Sequence, residues 1–200
     1  MFDFSLNEQP NITKFVIGEE QTPLLIIDGF ANNPEEIIEF AGDGAGFKAD
    51  PQNFYPGKRK LIPNQYSEQI CQQYLASLQT SFGIKQARSA KSVISALAIA
   101  DTPIKKLRPM QMIPHIDTPK NNQFAVVHYL CSSEHGGTAF YRHKQTGFEA
   151  ITQERLYEYG SQVKKEAMSN QLHKSPCYMS GSNTMFEQLY SVEACMNRAV

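Results

Sequence analysis

The apolar spacing of this chain changes period near its middle, and that change restricts the folds open to it more than any other feature. Between Ser67 and Phe82, the side chains of Ile70, Tyr74, Leu75, Leu78 and Phe82 fall on one face of a 3.6-residue repeat. An amphipathic helix laid on the core is expected there. From Ser92 the spacing becomes twofold: SVISALAIA alternates in part, and LRPMQMIPHID, QFAVVHYL and TAFYRH read as further extended segments. Helix followed by several consecutive extended segments places the chain in the α+β class, mainly β, with sheet at its centre.

The first half supplies the elements that sheet packs on. LLIIDGF, Leu24 to Phe30, is a short apolar run closed by Asp-Gly and suits a buried strand. NNPEEIIEFAG then predicts a helix. Asn33 can cap it, Pro34 fits the first helical position, Glu35 and Glu36 face the positive end of the dipole, and Gly42 and Gly44 stop it. FYPGKRKLIP is expected to be a loop, with Pro56 and Gly57 in a type II turn. Gly136-Gly137 should turn the chain into the TAFYRH strand. Thr152 to Asn170 predicts a surface helix, since Leu156, Tyr159, Val163 and Ala167 recur at helical spacing behind Thr152 as a cap.

Two hundred residues, 41% of them hydrophobic, suit one domain over residues 1–200. Lys and Arg number 19 against 20 Asp and Glu, which excludes a general electrostatic attraction to nucleic acid or anionic membrane. A small molecule or peptide is the expected partner. MFDFSLNEQP lacks the basic and apolar regions of a leader, and no apolar run approaches the roughly 20 residues of a membrane helix. A cytoplasmic location is therefore expected. Cys71, Cys131, Cys177 and Cys195 are too widely spaced for a Cys-x-x-Cys zinc site and are expected to be reduced, mostly buried thiols.

The chemistry concentrates between Pro114 and His143, which hold four of the five histidines. On a strand, residues two apart point to one face, so His115 and Asp117 can present an imidazole and a carboxylate to one point. Nitrogen with a hard oxygen suits non-heme Fe(II), whose triad of two histidines and one carboxylate leaves positions open for co-substrates. His128 reads as a packed strand residue, His135 as solvated at a turn tip, and His143 as a strand end. Arg142 and Arg198 have the fork that suits a carboxylate partner, though a lone strand arginine more often faces solvent. Tyr55, Arg59 and Tyr129 are open to two readings, the mouth of a pocket, or turn chemistry and core packing.

The order His115-x-Asp117, then Gln123 to Leu130, then Gly136-Gly137-Thr138-x-Phe140 resembles the iron- and 2-oxoglutarate-dependent dioxygenases of the prolyl-hydroxylase-like type. YPGKR at Tyr55 to Arg59 and the late FEQLYSVEACMNRAV extend the resemblance, to a bacterial subgroup of that superfamily, over most of the chain. It implies a double-stranded β-helix, the jelly-roll or cupin-like fold, with flanking helices. It also implies Fe(II) and 2-oxoglutarate as cofactors, His115 and Asp117 as metal ligands, and hydroxylation of a substrate it does not identify. The family's second histidine ligand and its Arg or Lys for 2-oxoglutarate lie on strands that would follow Val200; within the chain, His173 is the remaining candidate for a third ligand, and Tyr129 and Arg59 for the cofactor pocket. The competing reading is an inactive, truncated or degenerate member that binds ligands or partners, pairing as a homodimer through an exposed sheet edge. A cupin-like hydrolase or isomerase would need further histidines converging on the same point.

Overall fold

A computed structural model describes residues 2–42, 45–50 and 54–200 and shows a mixed α+β chain. Its first strands, β1 (Asn11–Ile17) and β2 (Thr22–Asp28), form an antiparallel hairpin in unbroken register from Asn11↔Asp28 to Ile17↔Thr22. The LLII run in β2 is buried at all four positions because the strand is covered on both faces. Leu25 and Ile27 pack with Phe30, Ile37, Tyr66 and Tyr74, whereas Leu24 and Ile26 pack with Ile17 and Val192 on the other side. Each such side chain contributes on the order of 1.5–3 kcal/mol.

The helices of the first half close one face of that strand. Helix α1 (Pro34–Gly42) buries Pro34 and Ile37 and begins, as expected, with Pro34, Glu35 and Glu36. Asn33 does not cap it with its side chain; its Nδ2 donates to Asp3 Oδ2 at 2.5 Å. Gly44, expected to help stop the helix, lies outside the described residues. The helix expected over 67–82 is two, α2 (Asn64–Gln73) and α3 (Leu75–Ser81), joined at Tyr74, whose φ of −98° and ψ of 2° depart from helical values although its N–H still donates to the Ile70 carbonyl at 3.1 Å. The Tyr74 ring stacks on Phe30, with centroids 5.4 Å apart.

The FYPGKRKLIP segment is not wholly loop: Lys58–Leu61 forms β3, which pairs with β4 (Ala96–Ile99). Gly57 does not take the positive φ of a type II turn. It is required for a different reason, since a Cβ there would lie 1.8 Å from the Ile99 carbonyl oxygen.

Between β4 and the next strand the structure departs furthest from expectation. LRPMQMIPHID and most of QFAVVHYL are not strands; the chain forms one-turn 3-10 helices at Ile104–Lys106 and Pro109–Gln111 and then runs irregularly to β5 (His128–Tyr129). Pro103, Pro109, Pro114 and Pro119 explain this. Each removes a backbone donor, so alternating apolar residues here meet no ladder.

Strand β6 (Gly137–His143) follows Gly136, which takes φ 98° as the turn requires, and pairs with β7 (Phe186–Glu193). Their register shifts between Phe140, opposite Tyr190, and Tyr141, opposite Gln188, so Leu189 is an unpaired bulge residue. Helix α4 (Leu156–Ser169) lies on this hairpin, with Val163 and Tyr159 against Tyr141, Met185 and Phe186. Finally β8 (Arg198–Ala199) inserts between β2 and β5. The strands thus form sheets ordered β1-β2-β8-β5, β3-β4 and β6-β7, and among the described residues none closes into a barrel. From one side to the other, the layers are α1 with α2, the four-stranded sheet, the β6-β7 pair and α4.

All four cysteines are free, but Cys177 and Cys195 are exposed and the other two only half-buried, so the expectation of buried thiols is corrected. Among the described residues no helix is long and apolar enough to cross a membrane.

Candidate functional site

Met112 and Ile113, 4% and 6% exposed, anchor the proline-rich segment in the core, Ile113 against Phe186 and Val163. With those two residues held inward, the next ones emerge on the surface, and His115 and Asp117 have side chains 79% and 64% exposed. They lie on irregular chain, not on the expected strand. Residues i and i+2 still project to one side of this segment, and His115 Nε2 lies 3.7 Å from Asp117 Oδ1. Two donors each about 2.1 Å from a cation stand roughly 3–3.5 Å apart, so a small rotation brings this nitrogen and oxygen to ligating distance. The donor types suit Fe(II); their number is two. Among the described residues no three His, Cys, Asp or Glu side chains converge to hold a metal ion.

Beside the pair is a cavity of about 140 Å³ whose wall includes Pro114, His115 and Ile116. Its floor is the β6-β7 hairpin, with Phe140, Tyr141 and the bulged Leu189, and its far side is Ile17 and Thr22 of the β1-β2 hairpin. The bulge lies here: Leu189, which it leaves unpaired, is one of the residues lining this space.

The charged groups next to the cavity are already partnered. Glu149 accepts hydrogen bonds from the backbone N–H groups of Glu19 (3.1 Å) and Glu20 (3.0 Å) and from Arg142 Nε (2.8 Å). Burial alone would raise its pKa, but the Glu20 N–H, the Arg142 guanidinium and the Glu19 N–H outweigh it and hold the carboxyl below its ordinary value. Gly18 makes this possible, since a Cβ there would fall 1.9 Å from Glu149 Oε2. Arg142 also pairs with Glu187 at 3.2 Å and Glu19 at 3.1 Å, so it faces neighbouring carboxylates and not a ligand. His143, 1% exposed, places Nε2 2.6 Å from Glu166 Oε2 and Nδ1 2.9 Å from Thr146 Oγ1. Both ring nitrogens are committed. The strand-end reading of His143 missed this, although the helical period of Tyr159, Val163 and Glu166 already put that carboxylate on the buried face of α4.

His128 is packed, as its sequence context indicates. Asn197 Oδ1 accepts from the Ala31 N–H at 2.8 Å while its Nδ2 donates to the Ala31 carbonyl, which fixes the amide orientation. His128 Nε2, 3.1 Å away, must therefore donate to that oxygen, leaving Nδ1 to accept from the Tyr66 hydroxyl at 2.6 Å. Burial pushes the imidazole pKa down to about 4 against the opposing effect of Asn197.

The other sequence candidates do not join His115. His173 is exposed in a one-turn 3-10 helix, Leu172–Lys174, after α4. His135 is exposed with Nε2 3.7 Å from Glu134 Oε1, close to the solvated turn expected of it. Arg59 lies on β3 with its guanidinium 4.4 Å from the centre of the Tyr55 ring. Tyr129 is buried in β5, and its hydroxyl donates to Thr138 Oγ1. Arg198 holds Asp28 with two nitrogens, at 2.6 and 3.2 Å, bracing β8 to β2. The family model described as "Family of unknown function (DUF6445)" matches residues 8–200. No curated protein and no solved structure matches the chain.

Proposed function

We propose, for a chain that belongs to the DUF6445 family, the role of an Fe(II)- and 2-oxoglutarate-dependent oxygenase centred on His115 and Asp117. The observation that carries this reading is the 3.7 Å approach of an imidazole nitrogen and a carboxylate oxygen beside the cavity. Bound iron would supply the use of dioxygen as oxidant, one oxygen atom going to an unactivated C–H bond as a hydroxyl group and the other to 2-oxoglutarate as it becomes succinate and carbon dioxide. The chain's part is to present His115 Nε2 and Asp117 Oδ1 from a segment pinned by Met112 and Ile113, and to hold a substrate in the adjoining space. Support for a jelly-roll-type fold comes from the layering, because two antiparallel sheets packed face to face are the basis of that architecture.

Manganese titration followed by electron paramagnetic resonance tests the reading, since the free-ion signal falls as the metal binds. His115→Ala and Asp117→Ala should each weaken binding about tenfold or more, by loss of a first ligand. Unchanged binding in both variants would refute the assignment. A second reading, a ligand-binding module without turnover, draws on the count of two converging donors. It predicts that 2-oxoglutarate is not consumed under any metal loading.

A further inference from the structure

The cavity beside His115 has a chemical character of its own. Phe140, Tyr141, Phe148, Tyr159, Ile151 and Leu189 are among its lining residues. Of the ionisable groups in its lining, Glu149 is held by Arg142 and two backbone N–H groups, His143 is held by Glu166 and Thr146, and His115 faces Asp117 at 3.7 Å. A charged group lodged among the apolar side chains would lose hydration, and Glu149 and His143 already have partners of their own. Its volume, about 140 Å³, is close to the roughly 150 Å³ of an apolar cavity known to admit a benzene ring. Its wall includes His115, so an occupant sits next to the imidazole and, through it, to Asp117.

We propose that this cavity binds one uncharged, ring-sized apolar group of the substrate and so places a C–H bond of that group, or of its neighbour, before the His115–Asp117 pair. The binding site stands on the cavity alone; calling its occupant a substrate rests on the oxygenase reading. The specificity-determining residues are then Leu189, the bulge residue of the lining, and Ala139, the smallest side chain in the lining. Ala139 lies on β6 opposite Ser191, and a larger side chain at this lining position is expected to take up part of the space.

Toluene, benzoate and benzylammonium, three probes with the same ring and different charge, test the proposal by nuclear magnetic resonance titration of the whole chain. Toluene should bind saturably, with nuclear Overhauser contacts from its ring to the methyl groups of Leu189 and Ile17, and the two ions should bind about tenfold or more weakly. Ala139→Phe should remove toluene binding. Should that variant not fold, the contacts in the unmodified chain decide alone. Absent or unsaturable toluene binding, contacts only to residues outside the lining, equal binding of the charged probes, or a folded Ala139→Phe that still binds toluene would each overturn it. Manganese binding, read in parallel on the unmodified chain and on His115→Ala, reports the oxygenase reading separately, so either can fail while the other stands.

Discussion

His115 and His143 lie along the same cavity and live in opposite environments. His143 is enclosed between β6 and α4 with each ring nitrogen in a hydrogen bond, whereas His115 is mostly exposed, with one carboxylate at 3.7 Å. The contrast separates two uses of one side chain. An imidazole whose nitrogens are both committed holds structure together, and only one that keeps a nitrogen for another partner can ligate a metal. His128 belongs with His143, committed to Tyr66 and Asn197.

The contrast can be broken most directly at His143. His143→Ala removes a fully buried ring and leaves Glu166 and Thr146 without their partner, and should destabilise the chain by about 3–5 kcal/mol in urea unfolding. A loss below about 1 kcal/mol would mean that the buried histidine is not a structural post. The next effect is a pH dependence at His128. Its folded pKa, about 4, is below the unfolded value near 6.5, so in that window the unfolded chain binds more protons. Stability from this group is complete above pH 6.5 and declines as pH falls toward 4, by about 3 kcal/mol. Unfolding midpoints across that range should show the decline, and His128→Phe should flatten it; an equal slope in that variant would assign the dependence elsewhere.

A smaller loss is expected where the cavity meets the β1-β2 turn. Glu149→Ala strands the N–H groups of Glu19 and Glu20 and one side of Arg142, and should cost about 2 kcal/mol, measured by urea midpoint. No change would show that water replaces the carboxylate without penalty. The smallest effect belongs to the exposed pair. His115→Ala and Asp117→Ala should each shift stability by no more than about 0.5 kcal/mol, as expected for solvent-facing ion pairs, while manganese affinity falls. A large destabilisation in either would place the pair with His143 and remove the distinction.

The parts of the fold that could be read in advance are those where local signals agree. LLII is buried on both faces, Pro34-Glu35-Glu36 opens α1, and Tyr159 and Val163 turn α4 toward the hairpin. In residues 103–127 local signals conflict, with apolar alternation pointing to strands and four prolines pointing away from them. The prolines prevailed, because a strand without donors cannot complete its ladder. Within the candidate site, the two donors were visible as a spacing, and their convergence survives the loss of the strand because extended and irregular chain can both place i and i+2 on one side.

Residue order alone determined that this is a mixed chain of helix and strand, that its central strand is covered twice, and that His115 and Asp117 are two residues apart. Tertiary structure decided which histidines are spent. Glu166, Thr146, Tyr66 and Asn197 stand between 3 and 69 residues from the rings they satisfy. A hydrogen bond acts through space, so which imidazole keeps a nitrogen for chemistry depends on neighbours that only folding assembles.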